Sequence, residues 1–244
     1  MKPFIIIQLR PEDETSNSEY QCFLEKSGLT PNQTLRIRAE QKGLPDINLD
    51  NYSGIMVGGS PFDITTPKDK KSEIQNKIES DFSKLLDEVI EKDFPFIGCC
   101  SGNGLLGNHC GGKISRKYPE SVMAVDITLT SNAESDDLLK GLPKKFRGLV
   151  GHKECCEILP PNAVHLASSP TCPIQMFKIK NNIYATQFHP EADPEEFILR
   201  INTYKDYGYF PAEDAQKLID AVKNEQIIHT QKILKNFVNM YKKE

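Results

Sequence analysis

Phe94-Pro95-Phe96-Ile97-Gly98-Cys99-Cys100-Ser101-Gly102-Asn103-Gly104-Leu105-Leu106-Gly107 starts as an apolar run and ends as a glycine-spaced turn into a second apolar stretch. The pattern is that of a buried strand, a sharp corner and a helix. Gly98 and Gly102 stand on either side of Cys100, each two residues away. Glycine tolerates the crowding and the unusual dihedrals that such a corner imposes. A side chain at the corner is held up at the end of the strand, as a nucleophile must be. Cys100 is therefore the candidate nucleophile. A thiol with an ordinary pKa of about 8.5 is mostly protonated at neutral pH. A helix N-terminus and a neighbouring histidine both favour the thiolate, and a helix is expected directly after Cys100. Cys99 points to the opposite face and reads as packing.

Before this stretch lies an amphipathic helix. Ile74, Ile78, Phe82, Leu85, Leu86, Val89 and Ile90 recur at three- and four-residue spacing. Thr66 is its expected cap and Pro67 its expected first residue. Residues 53–57 form a short apolar strand ending in Gly58-Gly59-Ser60-Pro61. Strand, helix and strand in this order predict a right-handed crossover in a parallel sheet. Residues 4–9 read as the first buried strand. A polar helix then runs to about Lys26, with Tyr20, Phe23 and Leu24 inward, and Ser27-Gly28 stops it. Residues 34–39 alternate and read as a second strand.

After Cys100 the parallel pattern is lost. A short helix ends near Cys110-Gly111-Gly112. Residues 113–115 and 121–130 read as strands, 138–142 as a small helix or turn, and 147–157 as ambiguous. Residues 163–168 and 174–179 are strands, and Asn181-Asn182 signals a hairpin turn. Residues 183–188 form the last strand, which ends in His189-Pro190-Glu191. Asp193-Pro194-Glu195-Glu196 has a cap, a first-turn proline and a glutamate at the third position. That helix should reach about Tyr204, with Gly208 breaking it. Helices are expected over 211–222 and from Gln226, the last with Ile227, Leu234, Phe237, Val238 and Tyr241 on one face. Residues 193–244 thus read as C-terminal helices packed on the domain formed by 1–192.

The chain has 244 residues, enough for one well-buried core. With 38% hydrophobic and 26% charged residues it reads as a soluble globular protein. A net charge of -4 gives no reason to expect nucleic acid or an anionic membrane as partner. No apolar run approaches the roughly 20 residues that span a bilayer, and the N-terminus reads as a strand rather than a signal peptide. Seven cysteines at irregular spacing point to free thiols in a reducing cytoplasm. Cys99-Cys100 and Cys155-Cys156 with His109 raise the question of zinc. Adjacent strand residues face opposite ways, however, and no Cys-x-x-Cys is present, so neither metal nor cofactor is expected.

Gln187-Phe188-His189-Pro190-Glu191 supplies the second piece of chemistry. Pro190 biases His189 to an extended conformation, in which residues two apart project on the same side. His189 and Glu191 then suit an imidazole base oriented by a carboxylate, with the other ring nitrogen open to a thiol proton. Met56-Val57-Gly58-Gly59-Ser60-Pro61 supplies the third. A backbone N–H from Gly59 and one from Ser101 would make a two-donor oxyanion hole, each donor worth about 3 kcal/mol in the transition state. Taken alone, that glycine pair reads better as a plain turn.

Together, Gly98-Cys99-Cys100-Ser101-Gly102, Gly58-Gly59-Ser60-Pro61 and Gln187-Phe188-His189-Pro190-Glu191 resemble class I glutamine amidotransferases. The likeness runs to the amidotransferase domain of GMP synthetases and to stand-alone relatives, γ-glutamyl peptidases among them. It implies a flavodoxin-like three-layer α/β/α sandwich with a mainly parallel central sheet and a C-terminal helical extension. It implies Cys100 as nucleophile, His189 as base and Glu191 as its partner, with Gly58, Gly102, Gly104 and His152 at the substrate. The implied substrate is glutamine or a γ-glutamyl small molecule, cleaved through a thioester. Two positions depart from the family. Gly104 stands where members carry a glutamine that holds the substrate, and Ser101 where many carry a bulkier residue. Residues after Glu191 contain no Ser-Gly-Gly-x-Asp loop for ATP, so released ammonia would pass to a synthetase partner chain or be lost. A stand-alone γ-glutamyl peptidase and a non-catalytic relative are the alternatives.

Overall fold

The computed structural model describes residues 2–207 and 210–243. Its first strand, β1 (Phe4–Gln8), is buried along its whole length. Alternation along it sets the layers: Phe4 and Ile6 join one apolar cluster, Ile5 and Ile7 another. Then follow α1 (Asp13–Ser27), β2 (Thr34–Arg38), the short α2 (Ala39–Lys42), β3 (Gly54–Val57), α3 (Glu73–Glu91), β4 (Phe96–Cys99) and α4 (Ser101–His109). The second half comprises β5 (Lys113–Ser115), β6 (Glu120–Leu129), β7 (Lys145–His152), β8 (Cys155–Ile158), β9 (Val164–Ser168), β10 (Met176–Ile179) and β11 (Ile183–Thr186). Three helices close the chain: α5 (Pro194–Tyr204), α6 (Ala215–Val222) and α7 (Gln231–Tyr241).

Among the described residues the main sheet has the strand order β2-β1-β3-β4-β11-β10-β9-β6-β7. From β2 to β11 neighbouring strands run parallel. From β11 outward the pairs are antiparallel. β5 and β8 form a separate two-stranded sheet. On one face Phe23 and Leu24 of α1 pack with Leu234 and Phe237 of α7. On the other, Phe82, Leu85 and Leu86 of α3 pack with Leu105 and Leu106 of α4. The three-layer α/β architecture is the expected one. A third cluster, Leu149, Ala192, Phe197, Ile201 and Val222, lies under α5 and α6. Among the described residues no helix is long and apolar enough to cross a membrane.

Several boundaries differ from the expectation. The long helix starts at Glu73, not at Pro67. Ser72 is its cap and accepts from the Gln75 N–H at 3.2 Å. Residues 68–70 form a separate 3-10 turn, because Lys68-Asp69-Lys70-Lys71 offers no apolar side to bury. The ambiguous stretch 147–157 divides into β7 and β8, which belong to different sheets. The last helix starts at Gln231, later than expected, and 212–214 is a 3-10 turn ahead of α6. Asp193 caps α5 as expected, accepting from the Glu196 N–H at 3.0 Å. The Gly208 break lies outside the described residues.

Candidate active site

Cys100 stands between β4 and α4 with φ 53° and ψ −98°. A positive φ is uncommon away from glycine and marks strained corners at functional sites. The crowding is real: a Cβ on Gly98 would lie 2.6 Å from the Gly102 carbonyl. The helix therefore starts directly over the end of its own strand. Cys99 is fully buried beside Met56 and Ile97, as expected of a packing residue.

β11 lies beside β4, with Thr186 opposite Cys99, and the Cys100 N–H donates to the Thr186 carbonyl at 2.7 Å. This pairing carries the 187–191 segment to the same end of the sheet as Cys100. His189 Nδ1 lies 2.6 Å from Glu191 Oε1, and both side chains are buried. The carboxylate accepts, so Nδ1 carries the proton and Nε2 the lone pair. Phe197 of α5 meets the imidazole edge to face at 5.2 Å. Cys100 and His189 line one cavity of about 530 Å³.

A buried charge network stands behind the histidine. Arg200 of α5 donates to Glu191 Oε1 at 3.3 Å and to Glu19 Oε1 at 3.4 Å, and also pairs with Glu196. Arg10 donates to Glu19 at 2.8 Å, and Gln8 donates to the other Glu19 oxygen at 3.0 Å. Arg200 Nη1 also lies 3.1 Å from His189 Nδ1. A guanidinium has no acceptor, so with the Nδ1 proton directed at Glu191 this contact is a close positive charge. Burial, helped by Arg200 and opposed by Glu191, lowers the His189 pKa. Burial would raise Glu191, but His189 and Arg200 hold it at about 2. Desolvation pushes the Cys100 thiol up to about 12, against the pull of Arg10 and Arg200. The helix N-terminus lies directly after Cys100 as expected, and desolvation outweighs the favourable charges of Arg10 and Arg200 around the thiol. The resting arrangement is a neutral thiol, a neutral imidazole and an ionised carboxylate.

The remaining sequence-predicted residues fall into two groups. Ser101, Gly104 and His152 line the cavity with Cys100. A Cβ on Gly104 would meet only Ile64 at 3.5 Å and Glu154 at 3.7 Å, so this position leaves the cavity open. Gly58, Gly59 and Gly102 instead serve close packing. A Cβ on Gly58 would lie 2.5 Å from Glu19 Oε2, and one on Gly102 3.2 Å from Val57. Gly59 lies beside His189, where a Cβ would come within 3.0 Å of Cε1. Its N–H, expected to be free for an oxyanion, is directed at Glu19 Oε1 at 3.3 Å, because that buried carboxylate needs donors. His152, at the end of β7, lies 2.7 Å from Glu120 Oε2 through Nε2.

Arg10, Glu19, Glu120, Glu154 and Arg200 escaped the reading of the sequence. Arg200 and Glu19 meet across 181 positions, and no local pattern marks such a pair. Glu154 Oε1 and Oε2 accept from the Ile64 and Thr65 N–H groups at 2.6 and 2.9 Å. That contact ties the loop after β7 to the loop after β3. The signal available beforehand was weak: ionisable residues, Arg10 and Arg200, next to predicted buried positions.

A strained cysteine corner and a histidine–glutamate pair thus stand together at one end of a three-layer α/β sheet. The sequence profile of the family Glutamine amidotransferase class-I matches residues 25–202. The chain belongs to the class I glutamine amidotransferases. It is 35% identical over 167 residues to a subunit of the glutamine-hydrolyzing GMP synthase of Pyrococcus abyssi, covering 65% of this chain and 80% of that one. It is 27% identical over 239 residues to gamma-glutamyl peptidase 3 of Arabidopsis thaliana, covering 92% and 90%. Among solved structures, a glutamine amidotransferase from Thermotoga maritima superposes over 100% of both chains with a TM-score of 0.77 at 17% identity.

Proposed function

We propose that this protein hydrolyses the γ-amide of glutamine or of a γ-glutamyl compound through Cys100, His189 and Glu191. The observation that carries this reading is one cavity lined by both the Cys100 corner and the His189 ring. Because the thiol and the imidazole are both neutral at rest, attack and proton transfer go together. The Cys100 sulfur bonds to the γ-carbonyl carbon while His189 Nε2 takes its proton. The carbonyl oxygen becomes an oxyanion, held by the Ser101 N–H at the start of α4 and by the Gly59 N–H once it turns from its long contact with Glu19. Collapse breaks the C–N bond, and the imidazolium gives its proton to the leaving amine. A γ-glutamyl thioester remains. His189 then deprotonates water, which attacks the thioester, and glutamate leaves as the thiol is restored. Glu191 keeps the imidazole in the competent tautomer throughout.

One wall of the cavity favours a γ-glutamyl amide with a bulky amine over free glutamine. Phe197 and Ile201 of α5, Phe210 ahead of α6, Leu218 of α6 and Val122 of β6 make that wall apolar. A cavity of about 530 Å³ is of the size that encloses a ligand larger than one amino acid. A partner synthetase chain, as the name of the Pyrococcus abyssi relative implies, would be needed only for the glutamine reading. Glutamate release from glutamine and from γ-glutamyl amides of small and aromatic amines decides the matter, with Cys100→Ala as control. Release that depends on Cys100 is the expected result. Cleavage of glutamine alone would dismiss the bulky-amine reading. No release from any of them, together with no labelling of Cys100 by a thiol-directed glutamine analogue, would remove the catalytic proposal.

A further inference from the structure

We propose that Glu120, His152, Cys155 and Cys172 form a binding site for a soft divalent cation of the zinc type, beneath the wall of the cavity. Donor atoms of Glu120, His152 and Cys172 lie within 4.8 Å of one another. The Cys172 thiol is hydrogen-bonded to the Cys155 sulfur, which lies beside these three donors rather than among them and joins them when an ion is bound. All four residues are buried. They come from three stretches of the chain, with His152 and Cys155 three positions apart. Glu120 opens β6 and pairs with His152 at the end of β7, Cys155 opens β8, and Cys172 lies in the turn between β9 and β10.

Two sulfurs, one imidazole and one carboxylate are a donor set that suits tetrahedral zinc, with metal–sulfur distances of about 2.3 Å and metal–nitrogen or metal–oxygen distances of about 2.0–2.2 Å. The objection raised by the sequence was that neighbouring cysteines face opposite ways. The structure keeps that rule and evades the objection. Cys156 turns to the other core cluster, its thiol on the Ile158 carbonyl at 3.1 Å. The second sulfur comes from Cys172 instead.

His152 presents Nε2, not Nδ1, to the site. Its Nε2 faces Glu120, and its Nδ1 is buried with no hydrogen-bond partner. The Glu120 carboxylate also has the supports that a ligating carboxylate has. Ser169 Oγ donates to Oε1 at 3.1 Å, Thr171 donates to the same oxygen, and Gln175 Nε2 donates to Oε2 at 2.7 Å. Such outer partners orient a metal ligand and raise the affinity of its site. A cation here would pin β6, β7, β8 and the 169–172 turn together, directly under the segment from His152 to Glu154 that lines the cavity.

The test uses the whole chain, freed of any affinity tag and reduced. Metal content is measured as purified, and the metal-free protein is titrated with Co2+, which reports thiolate ligation by an intense near-ultraviolet charge-transfer band. Stoichiometric zinc and a saturable thiolate band in the wild-type chain are expected. Cys155→Ser and Cys172→Ser should each remove or strongly weaken the band, Glu120→Gln should weaken binding at least about tenfold, and Cys110→Ser should leave it intact. A wild-type chain that shows neither zinc nor a cobalt–thiolate band overturns the proposal, whatever the variants do. So does a band that survives when both Cys155→Ser and Cys172→Ser are present, or a Cys155–Cys172 disulfide that forms under saturating zinc.

Discussion

β4 and β11 are neighbours in the parallel half of the sheet, and β6 and β7 in the antiparallel half, yet the two pairs deliver their side chains differently. In the parallel pair the strands are buried on both faces, and their ends carry Cys100 and, three residues beyond, His189. These two candidate groups are fixed by backbone register and by a packed glycine corner. In the antiparallel pair burial alternates along β6. Its ends carry Glu120 and His152, which are held by side-chain hydrogen bonds to a distant turn. The chemistry rests on a stiff scaffold, and the cavity wall rests on a network that substitution can rearrange. An enzyme family can thus keep one reaction and change its substrate by altering only the second half.

The comparison breaks most sharply at Cys100. Cys100→Ala should lower glutamate release at least about a thousandfold, since nucleophile removal in such sites costs at least that much, while circular dichroism stays native. Retained activity would mean that the parallel half does not hold the nucleophile. Arg200→Met comes next. It leaves Glu191, Glu196 and Glu19 short of a buried cation, and urea unfolding should show a loss of about 3–5 kcal/mol. A loss under about 1 kcal/mol would make the network incidental.

Gly98→Ala tests the backbone contact over the corner. The new methyl would meet the Gly102 backbone at 2.6 Å, which cannot yield cheaply, so a loss of about 1–3 kcal/mol is expected by the same unfolding measurement. His152→Ala tests the antiparallel wall. KM should rise about tenfold with little change in kcat, because losing the Glu120 contact loosens the cavity wall for substrate and transition state alike. A fall in kcat alone would move His152 from the wall to the reaction.

The pH profile is the mildest probe. His189 must be neutral to accept the thiol proton, and its pKa is lowered by burial. The acid limb of kcat/KM should therefore lie below the ordinary histidine value of about 6.5. With the Cys100 thiol pushed up to about 12, no thiol-controlled limb should appear in the neutral range. Glu191, held at about 2, titrates below its ordinary carboxylate value of about 4.3. Its ionised form stabilises the fold above that value, and the contribution is lost as pH falls towards 2. An acid limb at or above 6.5 would show that Arg200 and burial do not control the base.

The corner at Cys100 was legible because glycine spacing next to an apolar run is a local signal, written within a dozen residues. The His189–Glu191 pair was legible for the same reason, from Pro190 and the two-residue period of an extended chain. Boundaries such as Glu73 and Gln231 were not, because polar stretches flanking an amphipathic helix carry no period that says where it begins. Arg10, Glu19 and Arg200 were invisible, since each looks like an ordinary surface charge until the partner arrives from far along the chain.

The sequence by itself determined the Cys100 corner, the His189–Glu191 pair and the strand–helix–strand order of the first half, because local backbone geometry and hydrophobic period dictate all three, and the family resemblance implied the three-layer fold. Only the tertiary structure decided which charges are buried and paired, how the thiol is poised, and how open the cavity is beside Gly104. It alone brought Cys172 to Cys155, Glu120 and His152. Those properties depend on desolvation and on distances between segments remote in the chain, which local spacing does not encode.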